Sequence, residues 1–238
     1  MKGSRSDRIC IALDFPTRAE VLAASRRLAS RVGWFKIGLE AFAAEGPGLV
    51  SEVSGTGAKV FLDLKLHDIP ATVAGAVAAA ARSGAAIVNV HALGGRAMLD
   101  AAREAATRAG LERLVAVTLL TSIDAAALAD LPMAGHPEGI ARRLAVLAQQ
   151  CGLDGVVCSA TDLPAIRGAC GPDFFTVVPG IRPAGSDALD QRRVATPEAA
   201  LRMGADLLVI GRPVTAAPDP EASLDRIRRD LEAVSDRA

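Results

Sequence analysis

Aromatic residues are scarce in this sequence, and neither sign of charge is in excess. Phe, Trp and Tyr together make up 3% of the 238 residues, and tyrosine is absent. The chain therefore lacks the aromatic platform on which single-stranded nucleic acids stack. Lys and Arg number 27, as do Asp and Glu, so the formal net charge is zero. This balance argues against a general binder of nucleic acids or membrane surfaces.

Long apolar runs and paired cysteines are also missing. No apolar run approaches the ~20 residues of a membrane span. Residues 1–7 are polar, and we expect them to be a disordered or loose N-terminus rather than a signal peptide. The four cysteines form no CxxC pair and show neither a zinc-ligand nor a Cys/His nucleophile spacing. Cys10 and Cys158 lie within apolar segments, which favours buried thiols and a cytoplasmic setting.

Eight short apolar segments alternate with helical patterns along the chain. The predicted strands are 8–14, 34–38, a third from 59 to before Ile69, 86–91, 114–120, 155–159, 174–178 and 206–210. Near-continuous apolar strands separated by helices are typical of a buried parallel sheet. We therefore predict an α/β fold, a single-domain (β/α)8 TIM barrel over residues 8–238. A doubly wound open sheet is the alternative, but no GxGxxG follows the first strand.

The segment at residues 59–70 combines an apolar strand face with a charged one. Its even-numbered residues up to 66 are aliphatic, whereas Asp63 and Lys65 share the other face, roughly 7 Å apart at ~3.3 Å per residue. Opposite charges on the inner face of an apolar strand are costly unless they are paired or belong to a site. Asp68 follows, just before an Ile-Pro pair ends the strand and opens a helix. A structural ion pair is the alternative interpretation of this segment alone.

Polar residues collect where the predicted strands end, and barrel enzymes build their sites at these ends. The residues expected at this mouth are Asp14, Lys36, Asp63, Lys65, Asp68, His91, Thr121, Ser122, Arg182, Gly211 and Arg212. Two lysines and three carboxylates come from the first three strands, and one ion pair accounts for only two of these charges. The mouth is therefore predicted to be functional. Asn89 and His91 share the inward parity of the fourth strand, and His67 and His91 are predicted to be hydrogen-bonded packing residues.

Gly-Arg pairs after the last two predicted strands indicate an anion site. Gly180-Ile181-Arg182 follows the seventh strand, and Gly211-Arg212 follows the eighth. Barrels commonly bind phosphate with these loops, where Gly lets the backbone approach the anion and Arg donates from a planar fork. A glycine turn with a surface arginine is the alternative. We therefore expect a phosphorylated small molecule at the mouth.

The lysines at the mouth are flanked by carboxylates, which favour the charged form of lysine. A lysine of this kind is a poor Schiff-base nucleophile and a good proton donor to a carbanion. No metal-ligand set is evident, since Lys36 stands on the second strand where a divalent-cation site needs a carboxylate. The chemistry we expect is therefore proton donation without a metal.

Several segments resemble a known family. Residues 63–70, Asp-Leu-Lys-Leu-His-Asp-Ile-Pro, are similar to the D-x-K-x-x-D-I-P signature of orotidine 5′-phosphate decarboxylase. The other segments that match this family, in its order, are 12–14, 35–38, 117–122, 178–183, 190–193 and 209–213. The resemblance extends from Ile9 to about Pro220 with no departure at a functional position. Variation is expected in the loop at 124–138 and in the tails.

This resemblance implies decarboxylation of orotidine 5′-phosphate to uridine 5′-phosphate, the last step of de novo UMP synthesis, without cofactor or metal. It also implies a homodimer in which Asp68, Ile69 and Thr72 reach the partner's site. The residues that it assigns to catalysis are Lys65, Asp63, Asp68 and Lys36. Those that it assigns to the substrate are Asp14 and Lys36 at the ribose, Thr121 and Ser122 at the pyrimidine, Arg182, Gln191, Gly211 and Arg212 at the phosphate, and Asp63, Ile69 and Thr72.

The implied reaction has a specific electrostatic demand. Loss of CO2 from C6 leaves a carbanion that the ring cannot delocalise, so catalysis requires preorganised charge, which the Lys65 ammonium is expected to provide before it protonates C6. Distant phosphate contacts can drive closure of a mobile loop, for which 184–189 is our candidate. Two alternatives stay open. One is a metal-dependent sugar-phosphate decarboxylase on the same barrel, which Lys36 disfavours, and the other is a non-catalytic phosphate-binding barrel.

Overall fold

The structure, a computed structural model, describes residues 8–183 and 195–234, and its strands close into one parallel barrel. The strands are β1 Ile9–Ala12, β2 Trp34–Gly38, β3 Lys59–Leu66, β4 Ile87–His91, β5 Arg113–Val117, β6 Gly155–Val157, β7 Phe175–Val178 and β8 Leu207–Ile210. Each strand pairs in parallel with its sequence neighbours, and β8 pairs with β1. This closure confirms the predicted (β/α)8 barrel and excludes the open sheet.

Helices follow the strands around the outside of the barrel. Their bounds are α1 Arg18–Leu28, α2 Leu39–Glu45, α3 Pro47–Ser54, α4 Pro70–Arg82, α5 Gly95–Arg108, α6 Ala125–Leu128, α7 Pro137–Gln150, α8 Leu163–Cys170, α9 Pro197–Arg202, α10 Arg212–Thr215 and α11 Pro220–Glu232. The side chains of Thr17, Thr196 and Asp219 accept backbone N–H groups where α1, α9 and α11 begin. Within residues 8–183 and 195–234, no helix combines the length and the apolar character that crossing a membrane requires.

Strand alternation divides the apolar residues into two packed clusters. Residues of one parity, including Ile9, Phe35 and Leu62, are fully buried between the strands and the helices. Residues of the other parity, including Cys10 and Phe61, form a smaller cluster inside the barrel. The division follows from the pleat of a strand, which sends successive side chains to opposite faces. It confirms the predicted separation of an aliphatic and an inward face in the first half of β3.

β3 departs from regular geometry near its end. It pairs with β4 at Phe61 and Leu62 and again at Leu66, but the register shifts between these points. Lys65 lies within the shift and has a φ of 54°, a left-handed conformation that is unfavourable for a residue with a side chain. The expectation of a regular strand through Lys65 is therefore wrong, because a local irregularity rather than simple alternation sets the backbone of this residue.

Some elements are shorter or more numerous than the sequence predicts. β5 ends at Val117 rather than at 120, and β6 ends at Val157 rather than at 159. Helices α2, α6 and α10 are not predicted, and α6 and α10 have only 4 residues each. Helices this short contain too few turns to show an apolar periodicity.

Some predictions fall outside the residues that the structure describes. They are the loose N-terminus at 1–7, the role of Gln191 and the candidate lid at 184–189. The domain boundaries at 8 and 238 likewise stay predictions, since residues 235–238 are not described.

Candidate active site

Four charged side chains from the first three strands form one connected array at the mouth of the barrel. Lys36 Nζ donates to Asp14 Oδ1 at 2.9 Å and lies 3.6 Å from Asp63 Oδ2. Lys65 Nζ donates to the other oxygen of Asp63 at 2.6 Å. These four residues, Asp14, Lys36, Asp63 and Lys65, are termed the charged array below. Because carboxylates and ammonium groups alternate along it, every charge contacts an opposite one.

The charged array is buried at its centre and open at its ends. The side chains of Lys36 and Asp63 are 11% and 13% exposed, whereas those of Asp14 and Lys65 are 59% and 39% exposed. Lys36 and Asp63 therefore interact where water screens them least. A molecule in the mouth can reach the Lys65 ammonium, while Asp63 holds that ammonium from the buried side.

Burial by itself favours the neutral forms of Lys36 and Asp63, but the opposite charges outweigh it. Burial lowers the pKa of Lys36, and the carboxylates of Asp63 and Asp14 raise this pKa to above its ordinary value. Burial raises the pKa of Asp63, and Lys36, Lys65 and a hydrogen bond from Asn89 bring this pKa to below its ordinary value. Lys36 and Asp63 are therefore both charged at neutral pH, as expected of a lysine flanked by carboxylates.

Asn89 in β4 belongs to the site, although the sequence interpretation gave it no role there. Asn89 is fully buried. Its Nδ2 donates to Asp63 Oδ1 at 2.7 Å, and its Oδ1 accepts the backbone N–H of Lys65 at 2.8 Å. The inward parity of Asn89 in the fourth strand was the feature of the sequence that could have indicated its place in the site. The irregularity that turns the Lys65 N–H toward β4 does not show in the sequence pattern, so this contact was not predicted.

The segment after β3 lies at the rim of the mouth. Asp68, Ile69 and Thr72 are all exposed. Asp68 Oδ1 accepts the backbone N–H of Ile69 at 2.6 Å. In the described part of the chain, Asp68 forms no ion pair with Lys36 or Lys65. A single chain therefore does not join Asp68 to the charged array.

The two histidines near the array pack on each other. The rings of His67 and His91 are stacked, with centroids 5.4 Å apart and planes at 20°. His91 Nδ1 accepts the backbone N–H of Leu93 at 3.3 Å. Burial, together with the charges of His67 and Lys65, lowers the pKa of His91 to about 4. His91 is therefore neutral at physiological pH and acts as the hydrogen-bonded packing residue that was predicted.

Two arginines bring positive charge to the ends of β7 and β8. Arg182 is buried and donates from Nη1 to the carbonyl of Ile181 at 3.0 Å, while its Nε has no partner among the described residues. Burial and the nearby charge of Arg212 lower the pKa of Arg182. Gly180, just before this segment, has a φ of 76°, which favours glycine. Two guanidinium groups that repel each other are suited to binding an anion together.

The remaining predicted residues follow strand ends on the same side of the barrel. Thr121 and Ser122 lie in the turn after β5, and Ser122 is exposed. Gly211 directly follows β8 and precedes α10. The structure thus brings Asp14, Lys36, Asp63 and Lys65 into direct contact and sets the other described candidates at the surrounding strand ends.

The sequence of this chain is similar to that of one enzyme family. The family model described as "Orotidine 5'-phosphate decarboxylase / HUMPS family" matches residues 7–227. A curated orotidine 5'-phosphate decarboxylase from Nitrosospira multiformis is 50% identical over 229 residues, which cover 96% of this chain and 95% of the relative. A second, from Anaeromyxobacter sp. (strain K), is 53% identical over 226 residues, which cover 95% of this chain and 99% of the relative.

A solved structure of this family is also similar to this chain. The crystal structure of orotidine 5'-phosphate decarboxylase from Lactobacillus acidophilus superposes with a TM-score of 0.81 at 33% sequence identity, covering 95% of this chain and 100% of the other. That similarity extends over the strands and helices that carry the charged array. On its sequence and its fold, this chain belongs to the orotidine 5′-phosphate decarboxylase / HUMPS family.

Proposed function

We propose that this protein decarboxylates orotidine 5′-phosphate to uridine 5′-phosphate and CO2, the last step of de novo UMP synthesis. The observation that carries the proposal is the charged array in a chain of this family, with the Lys65 ammonium facing the opening and held by a buried, ionised Asp63. An array of fixed charges suits a reaction whose main barrier is the formation of a localised carbanion.

In the proposed reaction the bond between C6 and the carboxylate breaks, and CO2 leaves without its bonding electrons. The electron pair stays on C6, where the ring offers no acceptor for it. The Lys65 ammonium stabilises this charge and then transfers a proton to C6, so that the product carries a C6–H bond and Lys65 is left neutral. Asp63 and Lys36 keep the surrounding charges in place without reorganisation during the step.

The other contacts that we propose with the substrate are those that the family resemblance assigns. Asp14 and Lys36 bind the ribose hydroxyls, and the Thr121–Ser122 turn binds the pyrimidine edge. Arg182, Gly211 and Arg212 bind the phosphate region, to which the resemblance adds Gln191, a residue outside the described part of the chain. The mutual repulsion of Arg182 and Arg212 supports this assignment, because a doubly charged phosphate relieves it.

We further propose a homodimer in which Asp68, Ile69 and Thr72 complete the partner's site. Ile69 and Leu93 are large apolar residues with 67% and 44% of their surfaces exposed. With Asp68 they line a pocket of about 570 Å³ beside the mouth. Exposed apolar side chains around a polar group are typical of an interface. Asp68, which forms no ion pair with a lysine of its own chain among the described residues, is free to approach the partner's Lys65.

The proposed reaction needs no metal or cofactor. In the described ranges 8–183 and 195–234, no group of three or more His, Cys, Asp or Glu side chains is arranged to hold a metal ion. Lys36 occupies the position on β2 where a metal-dependent sugar-phosphate decarboxylase of this superfamily would place a carboxylate, and its raised pKa keeps it cationic. This lysine cation favours orotidine 5′-phosphate over a sugar phosphate as the substrate.

We also propose that the protein works in the cytoplasm. Four cysteines, Cys10, Cys151, Cys158 and Cys170, are buried, and none of these four forms a disulfide. Buried thiols of this kind suit a reducing compartment, where disulfides do not persist.

The test is the ultraviolet absorbance of orotidine 5′-phosphate with purified, EDTA-treated protein. A steady change to the spectrum of uridine 5′-phosphate would support the reaction and its independence from metal together. No change, with folded protein that binds the nucleotide, would instead indicate a non-catalytic phosphate-binding barrel. No change and no binding, but turnover of sugar phosphates with added magnesium, would indicate the sugar-phosphate alternative.

A further inference from the structure

The backbone of Lys65 is held in an unfavourable conformation within the site. Its φ of 54° is the only positive value among the non-glycine residues that the structure describes. The β3–β4 register shifts on either side of it, between Leu62 and Leu66. A residue with a side chain stays in this region only when its surroundings force it there. Some neighbour must therefore hold the Lys65 backbone, and with it the direction of the ammonium.

One side chain contacts both parts of this arrangement. Asn89 Oδ1 accepts the Lys65 backbone N–H at 2.8 Å, and Asn89 Nδ2 donates to Asp63 Oδ1 at 2.7 Å. The same Asp63 oxygen receives the Lys65 ammonium at 2.6 Å. Asn89 is fully buried, so water cannot replace either of its bonds if they are lost.

We propose that Asn89 is the positioning residue that directs Lys65 toward the substrate, by holding the left-handed backbone of Lys65 with its oxygen and the Asp63 carboxylate with its nitrogen. An amide suits this position because it is neutral and offers an acceptor and a donor side by side. An aliphatic residue would remove the acceptor of the Lys65 backbone N–H and one of the donors to Asp63. The inference rests on the proposed function, since it assigns the positioning to the decarboxylation that Lys65 carries out.

Asn89→Ala is the first test. Without the bridge, Lys65 relaxes away from its strained backbone, and a displacement of about 1 Å costs on the order of 100-fold in rate. We expect kcat to fall by about this factor while KM for orotidine 5′-phosphate changes far less, because the phosphate contacts lie on other strands. An unchanged kcat in the folded variant, or a loss confined to KM, would overturn the inference.

Asn89→Asp separates positioning from simple loss of packing. A protonated carboxyl at this position reproduces the amide, since it accepts the Lys65 N–H with one oxygen and donates to Asp63 with the other. An ionised carboxylate cannot donate and repels Asp63. Burial and the Asp63 charge both raise the pKa of such a carboxyl, so the active form is present at low pH and is lost as pH rises through that pKa. The ratio of variant to wild-type kcat should therefore increase as pH falls.

Other charged or ionisable groups face the same region and are present in both proteins. They are Asp63 and Lys65 on β3, Lys36 on β2 with Asp14 beyond it, Cys10 inside β1, and His91 on β4 with His67 stacked on it. His91 has a pKa of about 4 and titrates in the acidic range in both proteins. Taking the ratio to wild type at each pH removes this common contribution. A ratio that does not change with pH would overturn the inference.

Thr176→Val is the matched control. Thr176 is also fully buried and bridges two groups, accepting from Arg167 Nη2 at 2.8 Å and donating to Asp206 Oδ2 at 3.0 Å. It lies near the start of β7, at the opposite end of the barrel from the array. We expect this variant to unfold at lower temperature with an unchanged kcat. A loss of kcat equal to that of Asn89→Ala would show a general effect of buried polar loss and would overturn the inference.

The near-isosteric Asn89→Asp keeps the test informative if Asn89→Ala does not fold. Circular dichroism and thermal unfolding establish folding before any rate is compared. The activity of the wild-type protein distinguishes failure of the proposed function from failure of the positioning role. If the wild type does not convert orotidine 5′-phosphate, the proposed function fails. If it does, and both Asn89 variants match it at every pH, only the positioning role fails.

Discussion

Lys65 is held at two points that depend on different neighbours. Its ammonium contacts Asp63, which is buried beside Lys36, and its backbone N–H contacts Asn89 on the adjacent strand. The contact with Asp63 orients the ammonium charge. The hydrogen bond with Asn89 maintains a backbone conformation that the chain would otherwise avoid. Truncation of the Lys65 side chain should therefore remove the proposed proton donor and leave the backbone contact with Asn89 in place.

Lys65→Ala is expected to lose turnover and to keep nucleotide binding. Removing the proposed proton donor together with its charge should lower kcat by about 1000-fold or more. Lys59→Ala is the control, because Lys59 lies at the start of the same strand, half exposed and paired with Glu112 at 2.8 Å. Absorbance assays give kcat, and calorimetric titration with uridine 5′-phosphate gives binding. Comparable activity in the Lys65 and Lys59 variants would refute the proton-donor role.

Asp63 should make the stability of the protein depend on pH in the acidic range. Its pKa is lowered in the folded state, so the stability from its ionised form is fully present above the unfolded-state value of about 3.9. That stability is lost as pH falls through the lower folded-state pKa. Urea unfolding from pH 7 to 3 should therefore show a smaller loss of stability for Asp63→Asn than for wild type. His91 titrates in both proteins, and parallel curves would contradict the prediction.

At the scale of elements, β6 and β7 pack more closely than a side chain would allow. Gly155 begins β6 and pairs with Phe175 at the start of β7. A Cβ at Gly155 would clash with the carbonyl oxygen of Phe175, which is part of the backbone and cannot rotate away. The closure of the barrel between these two strands therefore depends on glycine at this position.

Gly155→Ala is expected to destabilise the fold by at least about 2 kcal/mol, since the strands must separate to admit the methyl group. Gly168→Ala is the opposite case, because Gly168 is exposed in α8 and a Cβ there meets no atom within 4 Å. That change should stabilise the fold by about 0.5–1 kcal/mol through helix propensity. Thermal and urea unfolding measure both effects. Equal stability of the two variants would contradict the close approach of β6 and β7.

At the scale of the whole molecule, the apolar surface beside the mouth is the feature that one chain leaves unexplained. Ile69 and Leu93 are exposed there, and the Asp68 carboxylate accepts the backbone N–H of Ile69 and pairs with neither Lys36 nor Lys65 among the described residues. A second copy that covers this surface would bring the Asp68 of each chain toward the charged array of the other. The proposed homodimer thus accounts for both the apolar surface and the separate carboxylate.

Mixing two inactive variants tests the shared site. In a hybrid of Lys65→Ala and Asp68→Ala subunits, one site has lost both residues and the other contains both. Free exchange in an equimolar mixture makes about half of the dimers hybrids by random pairing, and each hybrid has one intact site of two, so about one quarter of all sites should recover activity. Absorbance assays before and after mixing give the recovery, and mass spectrometry verifies the exchange. Absence of recovery in verified hybrids would contradict the shared site.

The positions of Lys36 and Asp63 show how much of the site was predictable from the sequence. Period-two alternation sends residues of one parity into the barrel, and parallel strands present their ends at one mouth, so the meeting of these charges follows from local pattern and fold class. The location of the glycine and arginine residues just after β7 and β8 was predictable in the same way, from their order along the chain and the fold class. Short helices such as α2 and α10 were not predictable, because a few residues show no periodicity.

The sequence by itself determined the closed barrel, the facing of its strands and the charges at its mouth, because each depends on periodicity and order along the chain. Only the tertiary structure decided how Lys65 is held. The register shift between β3 and β4, the left-handed backbone of Lys65 and its bond to Asn89 arise where two strands distant in sequence pack together. Such a register is set by the packing of the whole barrel, and no local pattern of residues encodes it.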